Sequence, residues 1–491
     1  MPLASPLPSP YVLGNERGSA LIFNDIADGI VRQVEAVGNG VNEALFEPVI
    51  RLGVTGLSRA GKTVFITSLV ANLMNRERMP GFLPAAEGRV LTAFLQPQPH
   101  DDVPRFDYES HLSAMTGPDP HWPQSTRAVS ELRLSFRVKP GGLLSGLRSP
   151  RTVHLDIVDY PGEWLLDLGL LDMDYATWSE DALKRAEPRK MGGDFLAAAH
   201  AADPAGEYDE ATAKTLSSDF AAYLRDAREA GFSDCTPGRF LLPGEMEGSP
   251  ALTFAPLPTP TRAPRGSLHR EFERRFEAYK SKVVKPFFRD HFSRIDRQIV
   301  LVDVLGAIHA GPAALEDLRR AMAEILSVFR PGRNAWLTSL LTGRRVEKIL
   351  FAATKADHLH HTQHPRLTAV MSALMREAKD RADFAGASTA AMSIAALRTT
   401  TEETLDHQGR KLDCVRGTLL DTGKRAAFYP GDLPEDPARL LKPARDGAEA
   451  WLDEDYGIMR FAPAEITLKP SEGPPHIRLD RAAEFLLGDR L

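Results

Sequence analysis

The chain has 491 residues, with 60 Lys+Arg against 66 Asp+Glu and hence a net charge of −6; at about 100–200 residues per domain, that implies two or three domains or one with large insertions. Hydrophobic residues at 43% and charged residues at 26% exclude wholesale disorder, and the near-balanced charge argues against a nucleic-acid partner. Two cysteines, Cys235 and Cys414, exclude a disulfide framework, are too few for a structural zinc site, and fit a reducing compartment. The Pro- and Ser-rich start has neither a basic region nor an apolar core, so it is not a secretory signal. The best apolar run, Ile299 to Ile308, is broken by Asp303 and is shorter than the roughly 18 residues a spanning helix needs. A soluble chain is expected, with peripheral membrane contact left open.

In chain order, residues 1–18 read as poorly ordered. Residues 19–46 read as a helix, because Ile22, Ile26, Ile30, Val34, Val37, Val41 and Leu45 recur at helical steps. Its apolar stripe is read as packing on the next domain, since Arg32 alone supplies a cation for a membrane surface. Val49 to Thr55 reads as a buried strand, and Thr63 to Met74 as a helix. Residues 75–125 read as loop-rich, with many prolines. Residues 129–138 alternate apolar and polar, as a half-exposed strand does. Val153 to Val158 reads as its partner and leads to Asp159.

Residues 163–298 read as mostly helical, with helices at Glu207–Ala230 and Leu268–Arg297 and a Pro-rich linker at 256–264 between them. Strands are expected at Ile299–Leu305, Val346–Ala353 and Ser388–Ile394, and helices at Ala313–Phe329 and Arg366–Arg381. Short strand-like pieces fill 405–470, and residues 478–487 form a last helix. Strands alternating with helices predict an α/β fold with a mostly parallel sheet and helices on both faces. Residues 47–162 and 299–404 are expected to form one domain in two parts. Residues 163–298 are a helical insertion forming a separate lobe, and 405–491 a small α+β extension.

Gly56-Leu-Ser-Arg-Ala-Gly61-Lys62-Thr63 matches G-x-x-x-x-G-K-[ST] between a strand and a helix, the context that gives this motif meaning. Glycines let such a loop curl with its N–H groups inward, around phosphate oxygens. The following helix directs its positive end at the anion. Ser58, Arg59, Ala60, Gly61, Lys62, Thr63 and Val64 are therefore the expected phosphate contacts. Lys62 reaches the β- and γ-phosphates, and the Thr63 hydroxyl ligates Mg²⁺. The fold expected is thus of the P-loop nucleotide-hydrolase type.

His154-Leu-Asp-Ile-Val-Asp159-Tyr-Pro-Gly162 ends a strand in a carboxylate, where ligands of parallel sheets bind. Asp159 is expected to hold Mg²⁺, and the Gly162 N–H to contact the γ-phosphate. Val346 to Asp357 ends another strand in Thr354-Lys355-Ala356-Asp357. A carboxylate that accepts from the N1–H and 2-amino group separates guanine from adenine, which would leave a desolvated charge unpaired. The Lys355 stem can lie along the purine. In Trp122-Pro-Gln-Ser-Thr126, Thr126 is taken as a second Mg²⁺ ligand and γ-phosphate contact, with Ser125 as the alternative. Ala395, Ala396 and Leu397 can offer N–H groups to the guanine O6. His358, His361 and His364 stand at three-residue steps, but polar loop and cap roles are favoured over a metal site. Arg270 to Lys285 reads as a solvated helix, and Arg330 to Arg345 as a loop.

These segments, with Val300-Leu-Val-Asp-Val-Leu305 and the closing Pro475 to Gly488, resemble the YcjX-like proteins, bacterial P-loop GTPases linked to envelope stress. The resemblance runs from about residue 50 to the C-terminus. It implies a GTPase domain with a helical insertion, GTP/GDP and Mg²⁺ as ligands, a cytoplasmic location that can be peripheral at the inner membrane, and a protein partner there. Glu163 stands where small GTPases place a water-orienting Gln. It can orient or deprotonate water, yet its charge faces the γ-phosphate, which favours slow hydrolysis or a partner-supplied group. Arg59 and Arg127 are the arginines nearest the phosphates in sequence. An ATPase, or a nucleotide-gated scaffold with negligible hydrolysis, are the competing readings.

Overall fold

A computed structural model describes residues 47–57, 59–124, 128–140, 149–327, 346–376, 387–451 and 456–491. The expected N-terminal elements (1–18 and 19–46), Ser58, Ser125, Thr126, Arg127 and the Arg330–Arg345 stretch lie outside the described residues.

In chain order the main elements are β1 Val49–Gly56, α1 Lys62–Met74, β2 Val90–Gln96, α2 Tyr108–Thr116, β3 Ser130–Val138 and β4 Arg151–Asp159. A helical segment follows, including α3 Tyr175–Ala186, α4 Glu210–Glu229 and α5 Leu268–Tyr279. Then come β5 Arg297–Val302, α6 Pro312–Ser327, β6 Lys348–Ala353, α7 His364–Leu374, β7 Ser388–Ser393, β8 Thr401–His407, β9 Arg410–Thr418, β10 Arg425–Phe428 and α8 Leu479–Leu487.

Seven strands form one sheet in the order β2-β3-β4-β1-β5-β6-β7. The pairs β1–β5, β5–β6 and β6–β7 are parallel, while β2–β3 and β3–β4 are antiparallel. Both faces are covered, so β1, β5 and β6 read as continuous apolar runs. On one face Leu52, Val54, Ile299 and Leu301 pack with Phe65 and Leu69 of α1 and Leu479 and Leu486 of α8. On the other, Val300, Val302, Ile349 and Phe351 share a core with Trp178, Phe272, Phe276 and Phe288 of the helical segment. Among the described residues the helical segment thus shares a core with this face of the sheet, and residues 50–491 form one compact unit.

Several local expectations change. The loop-rich residues 75–125 also contain β2, the sheet edge, and α2, capped by the Asp107 side chain on the Ser110 N–H. The helix expected over Leu268–Arg297 passes through a π-turn at Lys280–Val284 and ends before β5 claims Arg297. The strand expected to reach Leu305 stops at Val302, because Asp303 caps a helix at Val304–Ala310. The Pro-rich linker begins as packed chain, with Phe254, Ala255 and Leu257 in the core. β8 and β9 are joined by Gln408 and Gly409, both with positive φ (54° and 78°), as a twisted two-residue hairpin requires.

β3 is buried except for Arg137, not half-exposed. Its polar positions face a second polar row on β4. Arg133 lies opposite Asp156 and bonds it through Nε at 2.6 Å and Nη2 at 2.9 Å. Ser135 lies opposite His154, with Oγ 2.7 Å from its Nδ1. Alternation in sequence marks two chemically different faces, and here the polar one is buried because its groups satisfy one another. Among the described residues no helix is long and apolar enough to cross a membrane.

Removing one partner of such a pair strands a buried charge. Arg133→Ala should destabilise the chain by about 3–5 kcal/mol, read as a lower midpoint in urea unfolding. An unchanged midpoint would show that Asp156 finds water instead.

Candidate nucleotide-binding site

The C-terminal ends of β1, β5, β6 and β7 share one edge of the sheet, and the end of β4 joins them through Tyr160, whose N–H donates to the Val54 carbonyl at 3.4 Å. β1 has β4 on one side and β5 on the other, so the chain departs in opposite directions there and leaves a crevice.

The glycine-rich loop opens from β1 into α1. Arg59 and Gly61 both adopt left-handed backbone (φ 62° and 79°), and Gly61 is the N-cap of α1 with no side chain capping it. The helix therefore directs its first-turn N–H groups and the positive end of its dipole at the crevice. Lys62, 13% exposed, lies 3.3 Å from Asp159 Oδ1 and donates to the Tyr160 carbonyl at 3.2 Å. Asp159 is 1% exposed, and neither carboxylate oxygen has a hydrogen-bond donor among the described residues. Buried carboxylates are normally satisfied, so a donor-free pair of oxygens beside one ammonium fits a bound cation. The Thr63 side chain, one residue on from Lys62, carries a hydroxyl oxygen of the hard type that such cations take.

The other end of the edge holds the Thr354–Asp357 turn. Lys355 has left-handed backbone (φ 59°) and its ammonium pairs with Asp303, the residue that ends β5. Asp357 is buried. Its Oδ2 accepts from the Thr399 N–H at 2.9 Å and the Thr399 hydroxyl at 2.8 Å, and the Thr400 hydroxyl donates to its carbonyl. The carboxylate is thus fixed before any ligand arrives. The Ala395 N–H is taken by the Ile477 carbonyl at 3.0 Å, and Ala396 and Leu397 follow it into this corner. Of the three histidines at three-residue steps, His358 stacks edge-on against Phe461 and His364 bonds the Ala356 carbonyl at 2.8 Å. His361 turns instead to Glu402, 2.6 Å away, so the three do not converge.

Gly162 rests on the glycine-rich loop: a Cβ there would lie 2.4 Å from the Gly56 carbonyl oxygen. The chain then enters the helical segment's core at once. Trp164 has the Arg239 guanidinium over its ring at 3.4 Å and Phe287 edge-on at 5.4 Å. Asp167 accepts from the Gly238 N–H at 2.8 Å and the Tyr279 hydroxyl at 2.5 Å. Complete burial pushes the Asp167 carboxyl up to about 7 despite both bonds. Glu163 carries its carboxylate 3.1 Å from Arg228 Nη2. Trp122 donates its ring N–H to the Phe461 carbonyl at 2.8 Å, anchoring the loop that leads to Thr126.

Lys62, Thr63, Asp159 and Gly162 therefore gather at one end of the edge, and Lys355, Asp357, Ala396 and Leu397 at the other. Sequence reasoning missed Asp303, Thr399 and Arg228. The break that Asp303 makes in an apolar run was a visible signal. Nothing local marks the other two.

A mostly parallel sheet, a glycine-rich loop after β1 and carboxylates at the same strand ends define a P-loop GTPase-like fold. The chain belongs to the YcjX-like family (DUF463), whose model matches residues 50–491. It is 37% identical over 457 residues to the Ras-like GTPase YcjX of Escherichia coli (strain K12), spanning 90% of this chain and 96% of that protein. To the Ras-like GTPase YcjX of Shewanella oneidensis it is 35% identical over 470 residues, spanning 90% and 94%.

Asp167 makes stability depend on pH with a definite sign. Its folded value of about 7 lies above the ordinary 3.8, so the folded chain holds the proton more tightly. Stability from this group is complete below pH 4 and is lost as pH rises towards 7. Between pH 5 and pH 8, wild type should lose about 2–3 kcal/mol relative to Asp167→Asn, measured by urea unfolding at both pH values. Parallel curves for the two proteins would mean that the carboxyl titrates normally.

Proposed function

We propose that this chain is a Mg²⁺-dependent GTP-binding and GTP-hydrolysing switch. The observation that carries the reading is Asp159: two buried carboxylate oxygens without hydrogen-bond donors, beside Lys62, at the mouth of a glycine-rich loop. The names of both relatives, Ras-like GTPase, agree with it.

In this reading the loop's N–H groups, from Ser58 to Val64, and the α1 dipole bind the phosphates, and Lys62 neutralises the β- and γ-oxygens. Thr63 and Asp159, with Thr126, hold Mg²⁺, which when bound neutralises charge developing on the phosphate oxygens. Asp357, braced by Thr399, accepts from the guanine N1–H and 2-amino group. Lys355, held by Asp303, lines the base, and Ala396 and Leu397 face O6. Glu163 orients the attacking water as a hydrogen-bond acceptor. The Gly162 N–H bonds the γ-phosphate, and loss of that bond loosens a segment whose next residues are core residues of the helical segment. An output in the bacterial envelope stress response and a protein partner at the inner membrane, both implied by the resemblance, belong to the same proposal.

Two variants test it. Lys62→Ala should abolish the rise in melting temperature that Mg²⁺-GTP gives wild type, equivalent to at least about a 100-fold loss of affinity. A rise equal to wild type would put the phosphate site elsewhere. Asp357→Asn should bind GTP at least about tenfold more weakly and gain affinity for xanthosine triphosphate, whose ring presents an acceptor where guanine has its 2-amino donor. Competition titration with GTP, XTP and ATP measures both changes. Wild-type GTP preference in the variant would sink the base assignment.

A further inference from the structure

Glu163 is 5% exposed, and its Oε1 has no hydrogen-bond donor among the described residues. What stands beside that oxygen is a charge: Arg228 Nη2 at 3.1 Å. Arg228 lies in the last turn of α4, and the end of that helix also reaches the phosphate loop, where Arg59 Nη1 donates to the Glu229 carbonyl at 3.4 Å. Arg59 is thereby directed at α4. Behind Glu163, a Cβ on Gly238 would come within 2.7 Å of the Glu163 carbonyl oxygen, so the backbone of residue 163 is closely packed on that side. In front, Gly162 sits on Gly56 of the phosphate loop. The carboxylate is thus held between the phosphate loop and α4.

The geometry points to Arg228 as a built-in counter-charge, carried by the helical segment, that lets an acidic residue stand beside the terminal phosphate of the nucleotide. The inference rests on the GTP-hydrolase reading above. An uncompensated buried carboxylate next to a triphosphate repels it, and it repels the terminal phosphate far more than a diphosphate one bond further away. A guanidinium in contact with the carboxylate offsets that repulsion. It also leaves Oε1, engaged by charge and not by a donated hydrogen, as an acceptor for water. Arg228 acts through Glu163 and is a positioning residue. Some GTPases receive an arginine at this stage from a partner, and others carry it on their own chain; here α4 supplies a cation in cis.

The test uses the full chain as wild type, Arg228→Ala, Arg228→Lys, Glu163→Gln and the double variant Arg228→Ala/Glu163→Gln. Dissociation constants for GDP and for a non-hydrolysable GTP analogue, both with Mg²⁺, come from calorimetric titration, and single-turnover hydrolysis of GTP is followed alongside. Arg228→Ala should weaken the analogue at least about tenfold while GDP stays within about threefold, and should slow hydrolysis at least about tenfold. Arg228→Lys should keep most of both. With Glu163→Gln present, loss of Arg228 should change the analogue-to-GDP ratio less than about threefold, because no charge remains to be offset. If Arg228→Ala does not fold, Arg228→Gln removes the charge with less loss of volume and gives the same readout. An unchanged ratio in Arg228→Ala, or an equal loss with Glu163→Gln, overturns the proposal. Wild type that binds GTP without hydrolysing it overturns the hydrolase reading alone, since the affinity ratio still reports the charge.

Discussion

The contact of Gly162 with the Gly56 carbonyl holds the end of β4 against the glycine-rich loop. Any side chain at 162 would drive the end of β4 off the glycine-rich loop, and with it the Asp159 carboxylate that faces Lys62. The same contact starts the helical segment at the loop. The residues immediately after it, Trp164, Leu165 and Leu166, are core residues of that segment. A change of one hydrogen bond at residue 162 therefore acts on a packed body, which responds as a unit because its interior has little free volume.

Among the described residues, buried charges differ in how fully they are satisfied. Arg133 with Asp156 is satisfied within the pair, and Arg189 is satisfied by Asp317, the Tyr223 hydroxyl and the Asp234 carbonyl. Such networks hold the polar half of the sheet and the base of the helical segment. Asp159 and Glu163 are also buried and also beside cations, yet their Oδ1, Oδ2 and Oε1 atoms lack hydrogen-bond donors among the described residues. Leaving such an atom unsatisfied is costly, and the cost is tolerated where a ligand, ion or water completes the set.

The closing segment shows how distant pieces complete the fold. Asn72 of α1 donates to the Pro474 carbonyl at 3.0 Å, and a Cβ on Gly473 would fall 2.3 Å from the Asn72 side-chain oxygen. Ile477 pairs with Ala395, and Asp489 binds Arg297 and Lys348 at the opposite edge of the sheet. The closing segment thus ties α1 to both ends of the strands.

Much of the fold and the proposed site could be read from the chain alone, for a local reason. A glycine-rich turn between a strand and a helix, an aspartate ending a strand and a Thr-Lys-x-Asp turn are set by backbone geometry over a few residues. Lys62, Thr63, Asp159 and Asp357 were therefore legible as candidates from spacing. Parallel strands buried on both faces were legible as unbroken apolar runs. Spacing misled where polarity and exposure parted company, as on β3, whose alternating polar residues are buried against β4. It also could not tell a helical segment with its own core from one sharing the sheet's. Arg228 beside Glu163, Asp303 against Lys355 and Thr399 on Asp357 join residues tens of positions apart. Those pairings were decided by how the helical segment and the strand ends pack, because only packing brings such distant charges close enough to choose one another.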